Sequence, residues 1–394
     1  LDADRYPPTW HFLGWSYYYL GNVEAAKRAF EQFLAMHPDE GDSLFALGLL
    51  EMDAGRYTKA EHLYRKSIEV QQDNPEGQAK ALELITQAET KYVESLVTVG
   101  ADATNLLLAQ KYLLAEGKAH ANYAFYLGAT NNNIEEIRHL KTGEACGVKV
   151  FMGASTGNML VDNDDALERI FSDSPVLIAT HCEDTPLIKK NLELMREQYG
   201  DLPIPVSEHP NIRSVEACYK SSSKAVALAK KFGSKLHVLH LTTAKELSLF
   251  ENKDHREKNI TAEVCVHHLY FNDTDYDEFQ QLIVCNPAIK TQSDQAALME
   301  SLNNSGLDVI ATDHAPHTFE EKKKTYPDCP SGLPLVQHSL LLLLEFFHQG
   351  QLTLETIVAK TSHNVAEIYG IKDRGFIRED YWADLVLVNL DSKT

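Results

Sequence analysis

The 394-residue chain predicts a two-module protein: an all-α helical-repeat solenoid followed by an α/β unit built on a parallel sheet. Two observations carry that division. In about the first 90 residues, small and apolar positions return with a period of 34. From about residue 121, short apolar runs alternate with amphipathic helical stretches, the pattern of βα units around parallel strands. A third observation concerns chemistry: several of those runs stop at a histidine or aspartate. Strand ends are where ligands and catalytic groups project in α/β barrels.

The repeat is read from its period. Trp10, Leu13, Gly14, Tyr17, Gly21, Ala26, Phe30 and Pro38 are followed, 34 positions on, by Leu44, Leu47, Gly48, Gly55, Ala60 and Tyr64. Each unit predicts two antiparallel helices. Gly14, Ala26, Gly48 and Ala60 let the helices approach, and Tyr17, Phe30 and Tyr64 fill the space between them. Gly21-Asn22 and Gly55-Arg56 supply turns, while Pro38 and Pro75 close the units. Over residues 5–75 this resembles the tetratricopeptide repeats, with a repeat domain over 1–92. Residues 76–118 stay helix-forming, with Ala79–Ile85 and Leu106–Leu114 prominent, so 93–120 is expected to be a helical connector or capping pair. The resemblance implies a groove for a peptide or protein partner; a scaffold with no ligand of its own is the alternative.

The expected strands are Tyr123–Leu127, Val148–Met152, Val176–Thr180, Leu236–His240, Ile260–Val264 and Val309–Thr312. Helices are expected over Thr185–Tyr199, Ser214–Phe232 and Ser293–Asn303. An eight-stranded barrel would need two strands more. Near the C-terminus, Ala383–Val388 reads as a strand of a small accessory sheet over 371–394, leaving 121–370 as a partial barrel.

Composition narrows the function. The net charge is −20, from 57 acidic against 37 basic residues, and nucleic-acid binding needs a basic footprint. Six dispersed cysteines without a CxxC pair read as reduced thiols. No secretory h-region is visible, and the longest aliphatic run, Leu340–Leu344, is too short for a bilayer, so no membrane association and a cytoplasmic location are expected. The chain begins without Met, as a fragment would.

Chemistry concentrates at the strand ends. Ala311-Thr312-Asp313-His314-Ala315-Pro316-His317 places a carboxylate and two imidazoles where an apolar strand stops. Lys149 lies within an apolar run, where an ammonium is costly and a snorkelling side chain is the bland alternative. His181 and His240 end two further strands. Single histidines are usually satisfied core residues. Two histidines and an aspartate at successive strand ends form an N/O donor set suited to zinc.

These blocks resemble the cyclic amidohydrolases, dihydroorotase above all. The resemblance runs over 121–394 through Gly147–Met152, His181-Cys182-Glu183, His240-Leu241-Thr242, Thr261–Val264 with His267-His268-Leu269, Asn286-Pro287 and Asp313–His317. It implies a TIM-type barrel and one or two zinc ions, with Lys149 carbamylated as a bridging ligand. His181 and His240 would hold the second zinc. Asp313 would hold the first and serve as general base and then acid. Asn286 would hold the substrate ring, His317 its carboxylate, and Gly332-Leu333-Pro334 would offer backbone groups to the ring. The implied reaction is reversible hydrolysis of dihydroorotate to N-carbamoyl-aspartate, in pyrimidine biosynthesis. Hydantoinases and dihydropyrimidinases carry a tyrosine five residues after the bridging lysine; here Ala154 stands there, which favours dihydroorotase over hydantoinase or allantoinase.

One part of the family pattern is missing. The family opens on a strand ending in His-x-His, which supplies the first zinc's imidazoles, and no His-x-His occurs in this sequence. The repeat occupies the place of the barrel's first two strands. A truncated or composite fusion, a catalytically impaired relative acting as an interaction scaffold, and a barrel completed by a second chain in a homo-oligomer are the alternatives this leaves open.

Overall fold

Within residues 8–54, 56–71, 74–82, 84–85, 104–119, 121–153 and 160–391, which the computed structural model describes, the 34-residue period resolves into helix pairs. Helix α1 (Pro8–Tyr19) pairs with α2 (Val23–Met36), and α3 (Gly41–Asp53) with α4 (Tyr57–Val70). Gly21 takes φ +72° at the α1–α2 turn, and the Asn22 side chain then caps α2 by accepting from the Ala25 amide. Phe30 and Tyr64 are fully buried at equivalent positions. A Cβ at Gly14 would run into the Phe30 ring and one at Gly48 into the Tyr64 ring. The 34-residue glycine spacing is therefore a helix-approach constraint.

One feature of this unit was not expected. Glu51, on α3 and only 1% exposed, pairs with Lys27 on α2 at 3.0 Å, with Lys59 on α4 at 3.1 Å, and with Arg56. Burial acts to raise its pKa, but the hydrogen bonds from Arg56, Lys27 and Lys59 win and hold it at about 2. A single carboxylate thus ties three helices together. The helix at Thr104–Ala115 matches the expected Leu106–Leu114; the rest of the connector, up to residue 103, lies outside the described residues, as do His120 and Ala154.

Leu1–Lys118 and Ala119–Thr394 are separate compact units. The second is an α/β unit whose six strands are all parallel and run in sequence order: β1 (Tyr126–Gly128), β2 (Gly147–Phe151), β3 (Ile178–His181), β4 (Leu236–Val238), β5 (Ile260–Cys265) and β6 (Val309–Ala311). Sequential order with helical crossovers is barrel topology, and β1 and β6 are its open edges among the described residues. The crossover helices start where their caps dictate. Asp184 caps Thr185–Tyr199 and Ser214 caps Val215–Phe232, which stops at Gly233 in the left-handed region. Buried Asp308 pins the β5–β6 edge, accepting from the Ala262 amide at 3.0 Å and pairing with buried Lys258 at 2.8 Å.

The expected C-terminal strand does not form. Ala383–Val388 is unpaired among the described residues, and Leu385, Val386 and Leu387 are exposed. β-propensity is not enough without a neighbouring strand to complete the ladder. Asp384 tethers the segment instead, accepting from Asn122 at 3.1 Å and pairing with Arg374.

Candidate active site

Three strand ends build one cluster. His181 closes β3 beside Phe151 of β2, and His240 lies two residues beyond β4. The imidazoles of His181 (5% exposed) and His240 (4% exposed) face each other, with Nδ1 of the first 3.1 Å from Nε2 of the second. Half-buried Lys149 projects from β2, its Nζ 4.7 Å from the centre of the Phe151 ring, and that ring packs 5.7 Å from His181. The charges of Glu263 and Asp313 reach the Lys149 ammonium, and the Lys149 charge reaches His240. β2 and β6 are not neighbours in the sheet, so coupling between Lys149 and Asp313 requires the sheet to curl. Of the four residues expected to share a metal, the structure brings His181 and His240 into contact; Lys149 is linked to His240, and Asp313 to Lys149, through charge, and among the described residues Asp313 does not join the two histidines in a group of donor atoms all within 4.8 Å of one another.

The backbone marks the same places. His240 (φ +42°) and Asp313 (φ +45°) both occupy the left-handed region, which costs a side-chain-bearing residue energy and is concentrated at functional sites. Asp313 is exposed, because it follows the open edge strand β6.

Electrostatics set the protonation states. Burial lowers the Lys149 pKa, opposed by Glu263 and Asp313. Burial above all pushes His240 well below the ordinary imidazole value, so it is neutral. His181 Nε2 lies 3.0 Å from the Glu183 carboxylate, which fixes its proton there and turns the Nδ1 lone pair toward His240. Burial would raise Glu183, but Arg213 and His181 hold it down at about 2. The sequence assigned Glu183 no role. Its signal was parity: two residues beyond His181 in extended chain, it returns to the same side.

The donor set fits a divalent metal ion. In a tetrahedral site with metal–nitrogen bonds of about 2.0–2.1 Å, two nitrogens lie roughly 3.3 Å apart. The His181–His240 separation of 3.1 Å is close to that edge. Neutral imidazoles backed by an orienting carboxylate are the form that binds.

The residues expected to meet substrate line a common loop wall. Asn286 is half-buried, and its Oδ1 is buried without a hydrogen-bond partner among the described residues. Lys322 Nζ joins this loop to the next by donating to the carbonyls of Val284, Pro330 and Gly332 at 3.1, 2.9 and 3.1 Å. His317 Nε2 lies 3.1 Å from the Ser331 carbonyl oxygen. Gly332 takes φ +138° against Ala315, a position closed to any side chain. Its amide donates to the Val284 carbonyl, so both of its backbone groups are engaged within the wall, and Pro334 beyond it is exposed.

Known proteins of two kinds are similar to this chain. A family model described as tetratricopeptide repeat matches residues 13–76. Curated relatives of the chain include dihydroorotases: that of Methanosphaera stadtmanae is 28% identical over 307 residues (76% of this chain, 68% of the relative). Those of Pyrococcus abyssi and Halobacterium salinarum are 32% and 31% identical, covering 72% and 62% of this chain and 60% and 55% of the relatives. The chain therefore spans between 55% and 68% of the length of these three relatives. Among solved structures, L-hydantoinase (dihydropyrimidinase) from Arthrobacter aurescens matches with a TM-score of 0.65 at 22% identity, over 70% of this chain and 62% of that one. Saccharomyces cerevisiae dihydroorotase, in complex with 5-fluoroorotic acid, matches with a TM-score of 0.53 at 21% identity, over 68% and 73%. The second unit has the fold of the cyclic amidohydrolase barrels, short of two strands of an eight-stranded closure. Its sequence resembles dihydroorotases in particular.

Proposed function

We propose that this chain is a zinc-dependent cyclic amidohydrolase of the dihydroorotase type, hydrolysing dihydroorotate reversibly to N-carbamoyl-aspartate in pyrimidine biosynthesis, with a repeat module that holds a peptide or protein partner. The observation that carries the reading is the His181–His240 pair at 3.1 Å, with Lys149 coupled by charge to His240 and Asp313 coupled by charge to Lys149. Lys149 (carbamylated), His181, His240 and Asp313 would hold the metal, which when bound supplies a hydroxide nucleophile at neutral pH by lowering the pKa of water toward about 7.

The chain's own residues do the rest. Lys149, with its pKa lowered by burial, is poised to lose its proton to solvent and, as the free amine, to form an N–C bond to CO₂ with release of a second proton, which turns a costly cation into an anionic ligand. Asp313, exposed at the mouth, accepts the nucleophile's proton and returns it to the leaving amide nitrogen. Asn286, with its unpartnered Oδ1, is placed to receive a ring N–H. His317 faces the substrate carboxylate, a group that dihydroorotate carries and hydantoin does not. Glu183 holds His181 in its binding tautomer.

The test is turnover of dihydroorotate by the zinc-loaded full chain, against hydantoin and allantoin. Dihydroorotate should be the best substrate; a faster rate on hydantoin would overturn the substrate assignment, and inert zinc-loaded protein would overturn the activity. One observation favours a second reading: the absent His-x-His and the open β1 and β6 edges suit a catalytically impaired interaction scaffold. In that case removal of residues 1–92 abolishes partner capture while zinc-loaded protein stays inert.

A further inference from the structure

A second donor cluster lies where β5 ends, and the hydrolase reading makes no use of it. Cys265 is the last residue of β5, and His267 and His268 follow on the short helix Val266–Tyr270. One donor atom from each of the three lies within 4.8 Å of the others. All are buried, Cys265 at 0%, His267 at 1% and His268 at 3% exposure.

The hydrogen bonds show which atoms are free to bind. His268 Nε2 is 3.1 Å from the Pro287 carbonyl oxygen. A carbonyl only accepts, so Nε2 carries the proton and the Nδ1 lone pair is left over. That Nδ1 has no hydrogen-bond partner among the described residues, and neither has either ring nitrogen of His267. Buried polar atoms are seldom left this way, and each such exception calls for an explanation such as an ion. The two rings are held 4.0 Å apart between centroids, so their nitrogens cannot diverge far.

We propose that Cys265, His267 and His268 form a further metal site, binding a divalent transition ion of the zinc type, separate from the Lys149–His181–His240–Asp313 set. One thiolate with two neutral imidazoles is a donor combination zinc favours over the hard cations. The Pro287 carbonyl acts as the outer partner that fixes the tautomer of a ligating histidine. On binding, the Cys265 S–H bond breaks, its proton leaves to solvent, and the sulfur lone pair forms the bond to the ion. The Asp313 charge reaches both Cys265 and His267.

The site is tested with cobalt(II) added to chelator-treated, full-length protein. The Lys149 set contains no sulfur, so near-ultraviolet thiolate-to-cobalt charge-transfer absorption reports the Cys265 site alone and does not depend on turnover. Wild type should develop that absorption and saturate it with one equivalent. Cys265→Ser should lose it while keeping the visible ligand-field bands of cobalt bound elsewhere. Cys285→Ser, whose thiol is 3.8 Å from His268 Nε2, should retain it. Absence of the band in wild type, or its survival in Cys265→Ser, overturns the proposal. Zinc-edge absorption of the wild type needs no variant: a sulfur neighbour at about 2.3 Å is expected, and a shell of nitrogen and oxygen alone contradicts it.

Discussion

Two buried regions, the ion cluster of the repeat and the strand ends of the sheet unit, treat their polar groups in opposite ways. In the repeat, buried Glu51 is surrounded by three cations from two other helices and a turn. In the sheet unit, buried groups are left incomplete: Glu183 Oε1, His240 Nδ1, His267 Nδ1 and Nε2, His268 Nδ1 and Asn286 Oδ1 all lack a hydrogen-bond partner among the described residues. A satisfied buried charge ties a scaffold together. Under the proposed function, unsatisfied ones at the strand ends are left for an ion and a substrate to complete. Stability and function can therefore be told apart by who completes the hydrogen bonds, the protein itself or something it binds.

The largest expected effect is at Asp313. Asp313→Ala should lower dihydroorotate turnover by about 10²–10⁴-fold or more, because general acid–base transfer and a metal ligand go together; near-normal kcat in a steady-state assay would detach Asp313 from the chemistry. Glu183→Gln removes the anion that orients His181 and should weaken metal affinity about 10–100-fold by chelator competition. An unchanged affinity would make Glu183 a partner of Arg213 alone. His317→Ala should raise KM about tenfold or more with kcat little changed, since a hydrogen bond to a charged group is worth roughly 1.5–3 kcal/mol. A loss confined to kcat would contradict a role in holding the substrate carboxylate.

In the repeat the effects are on stability. Glu51→Ala leaves Lys27, Arg56 and Lys59 clustered without their anion and should cost about 1–3 kcal/mol by denaturant melt, moderated because Arg56 and Lys59 are half-exposed. The sign of the pH dependence follows. A carboxylate whose folded pKa is lowered to about 2 contributes stability that is full above its ordinary value near 4.5 and is lost as pH falls toward 2. Wild type should lose more stability than Glu51→Gln over that interval; parallel acid-induced melts would show that Glu51 is not the linked group.

The same contrast explains what could be read in advance. The repeat was legible because its constraints are local and recur, Gly14 against Phe30 and Gly48 against Tyr64. All six parallel strands of the sheet were legible from apolar runs, though β1 lies three residues further along at its start than expected and β4 stops before His240. The site was legible only in part. Strand-end position pointed to His181, His240 and Asp313, but the opposition of two nitrogens at 3.1 Å depends on the register between β3 and β4. The Lys27–Glu51 and Arg213–Glu183 pairs and the tie from Lys322 to the Val284 carbonyl join residues far apart in the chain, which no local pattern encodes. Ala383–Val388 misled for the complementary reason: its run of Leu and Val suits a strand, but a strand exists only against a neighbour.

The claim that Lys149, His181, His240 and Asp313 hold a common metal is met most directly by elemental analysis of the intact protein beside Lys149→Ala, both purified with zinc present. Wild type should carry zinc, and the variant should lose at least one equivalent per chain while keeping its fold by circular dichroism. Equal zinc in a folded Lys149→Ala protein would contradict the bridging role and, with it, the site as described.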